Sequence, residues 1–201
     1  MPIPDEATVR QVLAKDGRDL RIRTCIERSW ANVKEKYQDR PRWRRKSTTR
    51  ALMWENSVEA VAAEFDEDDG IKPIGHVDTI SFVVDDIILF RLKKAASTLL
   101  SANYPTLLAE LFHVHREDLF GHQGHQRVEV VHVFNRFQTE LEWIGVVARD
   151  KDRILWKYEL PDSAAGTGVV PLPSPTPRPA ADTVLRPAAA SGEKKTNEAE
   201  K

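Results

Sequence analysis

The sequence predicts an α+β domain: two amphipathic helices packed on a mostly antiparallel sheet of about five strands, with a disordered C-terminal tail. Three observations lead there. Apolar residues recur at three- and four-residue spacings over 19–37 and 51–65, which is the helical period. From 79 to 160, β-branched and aromatic residues fall in short runs that alternate with polar ones, the strand period. From Pro161 the composition shifts to proline and alanine with no aromatic residue, and such a segment buries too little apolar surface to offset its ordering entropy. The expected organisation is a polar N-terminal segment over 1–18, a single α+β domain over 19–160 and a Pro/Ala-rich tail over 161–201.

Taken in order, residues 6–13 allow a short helix. Ile22, Ile26, Trp30, Val33 and Tyr37 form the stripe of a helix that Asp19 is suited to cap, with Cys25 at its border. The second helix has Ser47 or Thr48 as its cap and a stripe of Ala51, Trp54, Val58, Val61 and Phe65. Glu55 and Glu59 flank that stripe, and the helix ends in an acidic run at Gly70. Around Asp85-Asp86, the runs Thr79–Val84 and Ile87–Phe90 read as a tight hairpin. A two-residue turn pairs Val84 with Ile87, Phe82 with Leu89, Ile80 with Arg91 and Asp78 with Lys93, which gathers Asp78, Arg91 and Lys93 at the open end. A short helix is expected over 106–112. Strands over 128–134, 139–148 and 154–160 complete an antiparallel meander with one face buried and one wet.

A formal net charge of −1 gives no global drive toward nucleic acid or membrane. One cysteine excludes an internal disulfide framework and fits a reducing compartment. Pro2, Pro4, Asp5 and Glu6 argue against a signal peptide, and no apolar run approaches the ~20 residues of a membrane helix, so a cytoplasmic protein without membrane contact is expected. No Walker loop, G-x-G-x-x-G, G-x-S-x-G or H-E-x-x-H occurs.

Two stretches carry chemistry. Arg40 to Arg50 holds six basic residues, no acid, and Trp43 among the arginines. Guanidinium groups fork onto phosphate and stack on bases, so Arg42, Trp43, Arg44, Arg45, Lys46 and Arg50 are candidate nucleic-acid contacts, joined by Arg91 and Lys94 of the hairpin. The plain alternative is a solvated loop paired with the acidic run at 64–69. Five of the six histidines lie between His113 and His132 in a spacing that matches no standard zinc signature, so ordinary hydrogen-bonding groups are the expectation.

An acid on one strand and a lysine on the next, after a helix bearing Glu55 and Glu59, resembles the core of the PD-(D/E)xK nucleases over roughly 55–94. The resemblance implies Asp78, Lys93 and Glu55 as catalytic residues, with magnesium or manganese as the cofactor if cleavage occurs. The chain departs from the pattern at Arg91, which stands where the second acid belongs and cannot ligate a metal. Phe90–Ala95 with the Asn-Tyr-Pro-Thr of 103–106, and the strands ending in Leu155–Leu160, resemble small uncharacterised proteins of mobile elements. Those are often encoded beside helix-turn-helix or zinc-peptidase regulators, which implies a toxin–antitoxin or phage-defence setting and a cognate regulator as partner.

The leading reading is a nucleic-acid-binding component of such a module on a degenerate nuclease-like core. The alternatives are a protein-interaction module that binds a neighbouring-gene partner, and an active metal-dependent nuclease. The Asp78–Lys93 pair also has a plain explanation as a cross-strand ion pair.

Overall fold

The structure is a computed structural model that describes residues 3–76, 79–101, 107–115 and 124–162. Asp78, the Asn-Tyr-Pro-Thr segment, His122 and the tail beyond 162 lie outside the described residues.

A helical layer comes first: α1 (Glu6–Ala14), α2 (Arg18–Lys36) and α3 (Lys46–Glu64). Asp5 caps α1 by accepting from the Thr8 amide at 2.8 Å, and Val9 and Leu13 are sealed in the core. The α2 stripe buries Ile22, Cys25, Ile26, Trp30 and Val33. Asp19 lies inside that helix, and Gly17 holds the N-cap position at φ 65, a left-handed conformation that costs glycine little. Where α2 crosses α3 the side chains are small. Ser29 Oγ donates to the Asn56 carbonyl at 3.0 Å, and Cys25 Sγ lies 3.5 Å from the Ala60 carbonyl.

The stripe of α3 is rotated from the expected one. Met53, Ser57, Val58 and Val61 are buried, whereas Ala51 is exposed. Neither Ser47 nor Thr48 caps the helix; Arg45 occupies the N-cap and makes no capping bond.

Six strands follow: β1 (Ile71–His76), β2 (Thr79–Val84), β3 (Ile88–Ala95), β4 (Gln126–Phe134), β5 (Leu141–Asp150) and β6 (Arg153–Glu159). They lie side by side in chain order. The expected five become six because residues 71–76, which include Pro73 and Gly75, pair along β2 as an edge strand, the place where a sheet tolerates proline. All neighbours are antiparallel except β3 and β4, which run parallel across a connection that contains α4 (Leu107–His113).

The hairpin register is corrected by one residue. Val84 pairs with Ile88, Val83 with Leu89 and Phe82 with Phe90, because Ile87 joins Asp85 and Asp86 in the connection. Both aspartates adopt left-handed backbone, at φ 48 and 54. Side chains alternate across a strand, so the slip sends Arg91 and Lys93 to the face opposite Phe82 and Phe90. The even-numbered face of β3 and β4, with Ile88, Phe90, Leu92, Val128 and Val130, packs on the helices. The odd-numbered face is covered at its centre by the connection, where Phe112 of α4 meets Val83 and Leu89. The expected wet face is therefore lost at the middle of the sheet: β4 is buried from Arg127 to Phe134.

One ionic knot ties the layers at their edge. Arg18 is buried and donates to Asp68 at 2.9 Å and to Asp85 at 3.0 Å, and Lys15 adds a bond to Asp85 at 3.1 Å. It joins the start of α2, the α3–β1 loop and the hairpin turn. A side chain on Gly70 would collide with the Arg18 guanidinium. The Arg18 bond is the first cause holding both carboxyls below their ordinary range. Arg18→Met leaves two carboxylates without their shared cation and is expected to cost about 3 kcal/mol of stability, read from urea unfolding. An unchanged midpoint would contradict this role.

Candidate functional site

The covered face of the sheet holds a concentration of charge that alternation alone would have placed in water. β3 contributes Arg91 and Lys93, β4 contributes Arg127 and Glu129, and β5 contributes Arg149. Parallel pairing sets Arg91 beside Glu129. The connection after β3 adds Ser101, held by a bridge to Ala95, and α4 adds His113 at its end.

Glu129 is fully buried and lies at the centre. Ser101 Oγ donates to Oε2 at 2.8 Å, Arg149 Nε lies 3.3 Å from Oε2, and Arg91 Nη2 lies 3.6 Å from Oε1. Arg149 Nη2 also reaches Ser101 Oγ at 2.9 Å and His113 Nε2 at 2.7 Å. Burial alone would push the Glu129 carboxyl up. His113, Arg149 and Arg91 outweigh it and hold the group down at about 2, so it is an anion at neutral pH. Burial pulls the His113 imidazole below its ordinary value, and its Nε2 lies 2.7 Å from Arg149 Nη2 and 3.3 Å from Glu129 Oε1. His115 is held neutral, chiefly by burial, and its Nε2–H donates to the Arg149 carbonyl at 2.9 Å. Arg127 caps the end of α4, donating to the carbonyls of Leu111 at 2.8 Å and Val114 at 3.3 Å.

Arg91 is held differently. Its guanidinium lies over the Phe112 ring, 3.5 Å from the centroid, and among the described residues its Nε and Nη2 have no hydrogen-bond partner. Burial lowers its pKa to about 10; Glu129 opposes the fall, and Arg149 and Arg127 add to it. It stays a cation at neutral pH.

The exposed cations form a second feature. Arg42, Arg44, Arg45, Lys46 and Arg50 are exposed around the start of α3, and Trp43 is half-buried, edge-on to Tyr37 at 5.7 Å. Arg42 has Asp39 at 3.7 Å, whereas Arg44, Arg45, Lys46 and Arg50 make no ion pair among the described residues. Of the acidic run that the plain alternative paired with them, Asp68 is on Arg18 and Glu64 on Arg21, each at 2.9 Å. A cleft of about 510 Å³ is lined by Ser47, Arg50, Ala51, Trp54, Lys93 and Lys94. It brings Arg50 together with Lys93 and Lys94, which lie apart from it in sequence. Burial, then the nearby Arg50, lowers the Lys94 ammonium pKa, so the two cations oppose each other without an acid between them.

Of the residues tied to cleavage, Lys93 belongs to both features, and Glu55 is exposed on α3 outside the cleft lining. Asp78 lies outside the described residues. Among the described residues no group of three histidine, cysteine or acidic side chains is placed to hold a metal, and no helix is long and apolar enough to cross a membrane. Glu129, Arg149, Ser101 and His113 were not expected at a site. Their one signal is a glutamate and an arginine inside strands otherwise built of valine.

Lys93 is partly buried beside Arg91, and burial first, then Arg91, lowers its pKa to about 8 from 10.5. Between these values the unfolded chain binds a proton that the folded protein has released. This group therefore raises stability as pH climbs through that window and opposes folding most below 8. In carbon-labelled lysine spectra, the resonance missing from Lys93→Met should titrate near 8 and move up in Arg91→Met. A midpoint near 10.5 would contradict the burial. The chain matches no protein-family model, no curated protein and no solved structure.

Proposed function

We propose that the protein binds nucleic acid through the cationic cleft at the start of α3, as a component of a toxin–antitoxin or phage-defence module. The observation that carries the reading is the direction of charge along α3. A helix N-terminus is its positive end, where acids stabilise and bases destabilise by a few tenths to about 1 kcal/mol each. Here Arg44, Arg45, Lys46 and Arg50 crowd that end with no acid in the first turn, and Glu64, Asp66, Glu67, Asp68 and Asp69 crowd the other. The helix has 19 residues, so the two clusters are about 28 Å apart along its axis. The acids are in part used within the fold by Arg18 and Arg21, and the bases are not. An unpaired cationic end kept against the macrodipole is suited to an anionic partner.

The chemistry is that of phosphate contact more than base readout. The exposed arginines fork onto phosphate oxygens, and half-buried Trp43 offers one ring edge beside them. With a net charge of −1, attraction comes from this local patch and not from the molecule as a whole. The mobile-element setting and a cognate regulator follow from the sequence resemblance and belong to the same proposal.

Gel retardation with duplex DNA and with RNA at several salt concentrations tests it. Arg44→Ala with Arg45→Ala should weaken binding and reduce the slope of log affinity against log salt by roughly two, and Arg50→Ala by roughly one. Slopes unchanged in both variants would sink the cleft. Absence of binding at low salt would favour a protein-interaction module. Cleavage that requires magnesium or manganese would replace the reading with a nuclease.

A further inference from the structure

Among the described residues of the buried face, Arg91, Lys93 and Arg149 outnumber the one acid beside them, Glu129. Arg91, Arg127 and Arg149 are each at most 5% exposed, Lys93 adjoins them, and among these strand residues Glu129 is the one acid. Buried ions are ordinarily paired, because an uncompensated charge out of water costs several kcal/mol. Arg127 has its carbonyls at the end of α4. Arg149 has Ser101, His113 and Glu129. Arg91 has the face of Phe112 and a distant edge of Glu129, and among the described residues its Nε and Nη2 have no hydrogen-bond partner although they are shut away from solvent. The Nε of Arg149 is also without one.

The geometry of Arg91 has a purpose in this setting. Stacking on a ring fixes the plane of a guanidinium and leaves its N–H edge free, and that edge is a fork that matches two oxygens of one oxyanion. Two residues along the same face of β3, Lys93 lines the open cleft. Its ammonium is partly buried on the covered face beside Arg91, whereas that of Lys94 lies beside Arg50 on the α3 side.

We propose that this face is a binding site for a phosphate group, held by Arg91 and Lys93 with Arg149 behind them, and that Glu129 is the fixed counter-charge that keeps the empty site folded. A phosphate carries the charge that the cluster lacks, and its several oxygens can take the free N–H groups of both arginines and the lysine. Two carriers share this chemistry: a free nucleotide and the phosphorylated end of a nucleic-acid strand. The site stands on charge balance and orphaned donors, and does not depend on the exposed arginines Arg44 and Arg45, so either proposal can fail alone.

The test uses the full-length protein in a phosphate-free buffer at constant ionic strength. Inorganic phosphate is added against chloride, and thermal unfolding and calorimetric binding are read. Wild type should show a melting temperature that climbs with phosphate concentration. Arg91→Met should weaken phosphate binding about tenfold or more, as should Lys93→Met, whose side chain is at the rim and whose fold is less at risk. Arg44→Ala with Arg45→Ala should keep the full phosphate effect. Without phosphate, Arg91→Met should melt close to wild type, because the attraction lost to Glu129 at 3.6 Å is offset by removal of a buried cation whose Nε and Nη2 have no hydrogen-bond partner among the described residues. Adenosine monophosphate and an oligonucleotide with or without a 5′ phosphate then separate the two carriers, either of which upholds the site. No phosphate effect in wild type, or an equal effect in Arg91→Met and Lys93→Met, would overturn it. So would an Arg91→Met variant that melts far below wild type in phosphate-free buffer.

Discussion

The constraint on which the rest of the sheet depends is the burial of Glu129 among cations. A carboxylate removed from water in the centre of a sheet is tolerated only with donors on every side. Here Ser101 of the connection donates to it, and the Arg149 and Arg91 cations of β5 and β3 stand 3.3 and 3.6 Å away. The same contacts that keep Glu129 ionised therefore fasten the parallel β3–β4 pair, the crossover above it and the next strand. A neutral residue at this position would leave two arginines in a dry interior with no anion. The apolar contacts on this face, Val131, Val133 and Val147 beside Ala95 and Leu99, form a smaller cluster than the one beneath the helices.

The two faces of the sheet are built on different principles. The helical face is a continuous apolar core, with α2 and α3 pressed together through serine, cysteine and alanine at their crossing. On this face the buried His132 is held down at about 3, by burial first and then by Lys94, so it behaves as a core group and not as a switch near neutrality. The covered face is polar at its centre and apolar around it. Lys93 is where the inner charge meets the outer, since it lines the cleft and adjoins Arg91. An anionic partner drawn to the exposed arginines of α3 would arrive beside it.

Much of this fold was legible from local pattern. The α2 stripe and the last three strands follow from periods that any neighbouring residues reveal. The error at the hairpin was one residue, and it had a large effect because strand faces alternate: it moved Arg91 and Lys93 from the Phe82 face to the other. The edge strand at 71–76 was hidden by Pro73 and Gly75, which weaken a strand signal but are harmless at a sheet margin. The parallel pairing of β3 with β4 could not be read, because it depends on which way a long connection returns. Without it, Glu129 and Arg149 look like the solvent side of a meander. The basic loop was legible as a block of charge. That Arg44, Arg45, Lys46 and Arg50 make no ion pair among the described residues was not, because Arg18 and Arg21 take Asp68 and Glu64 from a different helix.

The central claim is that one buried carboxylate holds the cationic face together. Glu129→Gln keeps the shape of the side chain and removes only its charge, so the unfolding free energy of this variant in a phosphate-free buffer tests the claim most directly. The account predicts a loss on the order of 3–5 kcal/mol, the cost of leaving buried charge without its partner. A variant as stable as wild type would show that the arginines do not need Glu129, and the account of this face would be wrong.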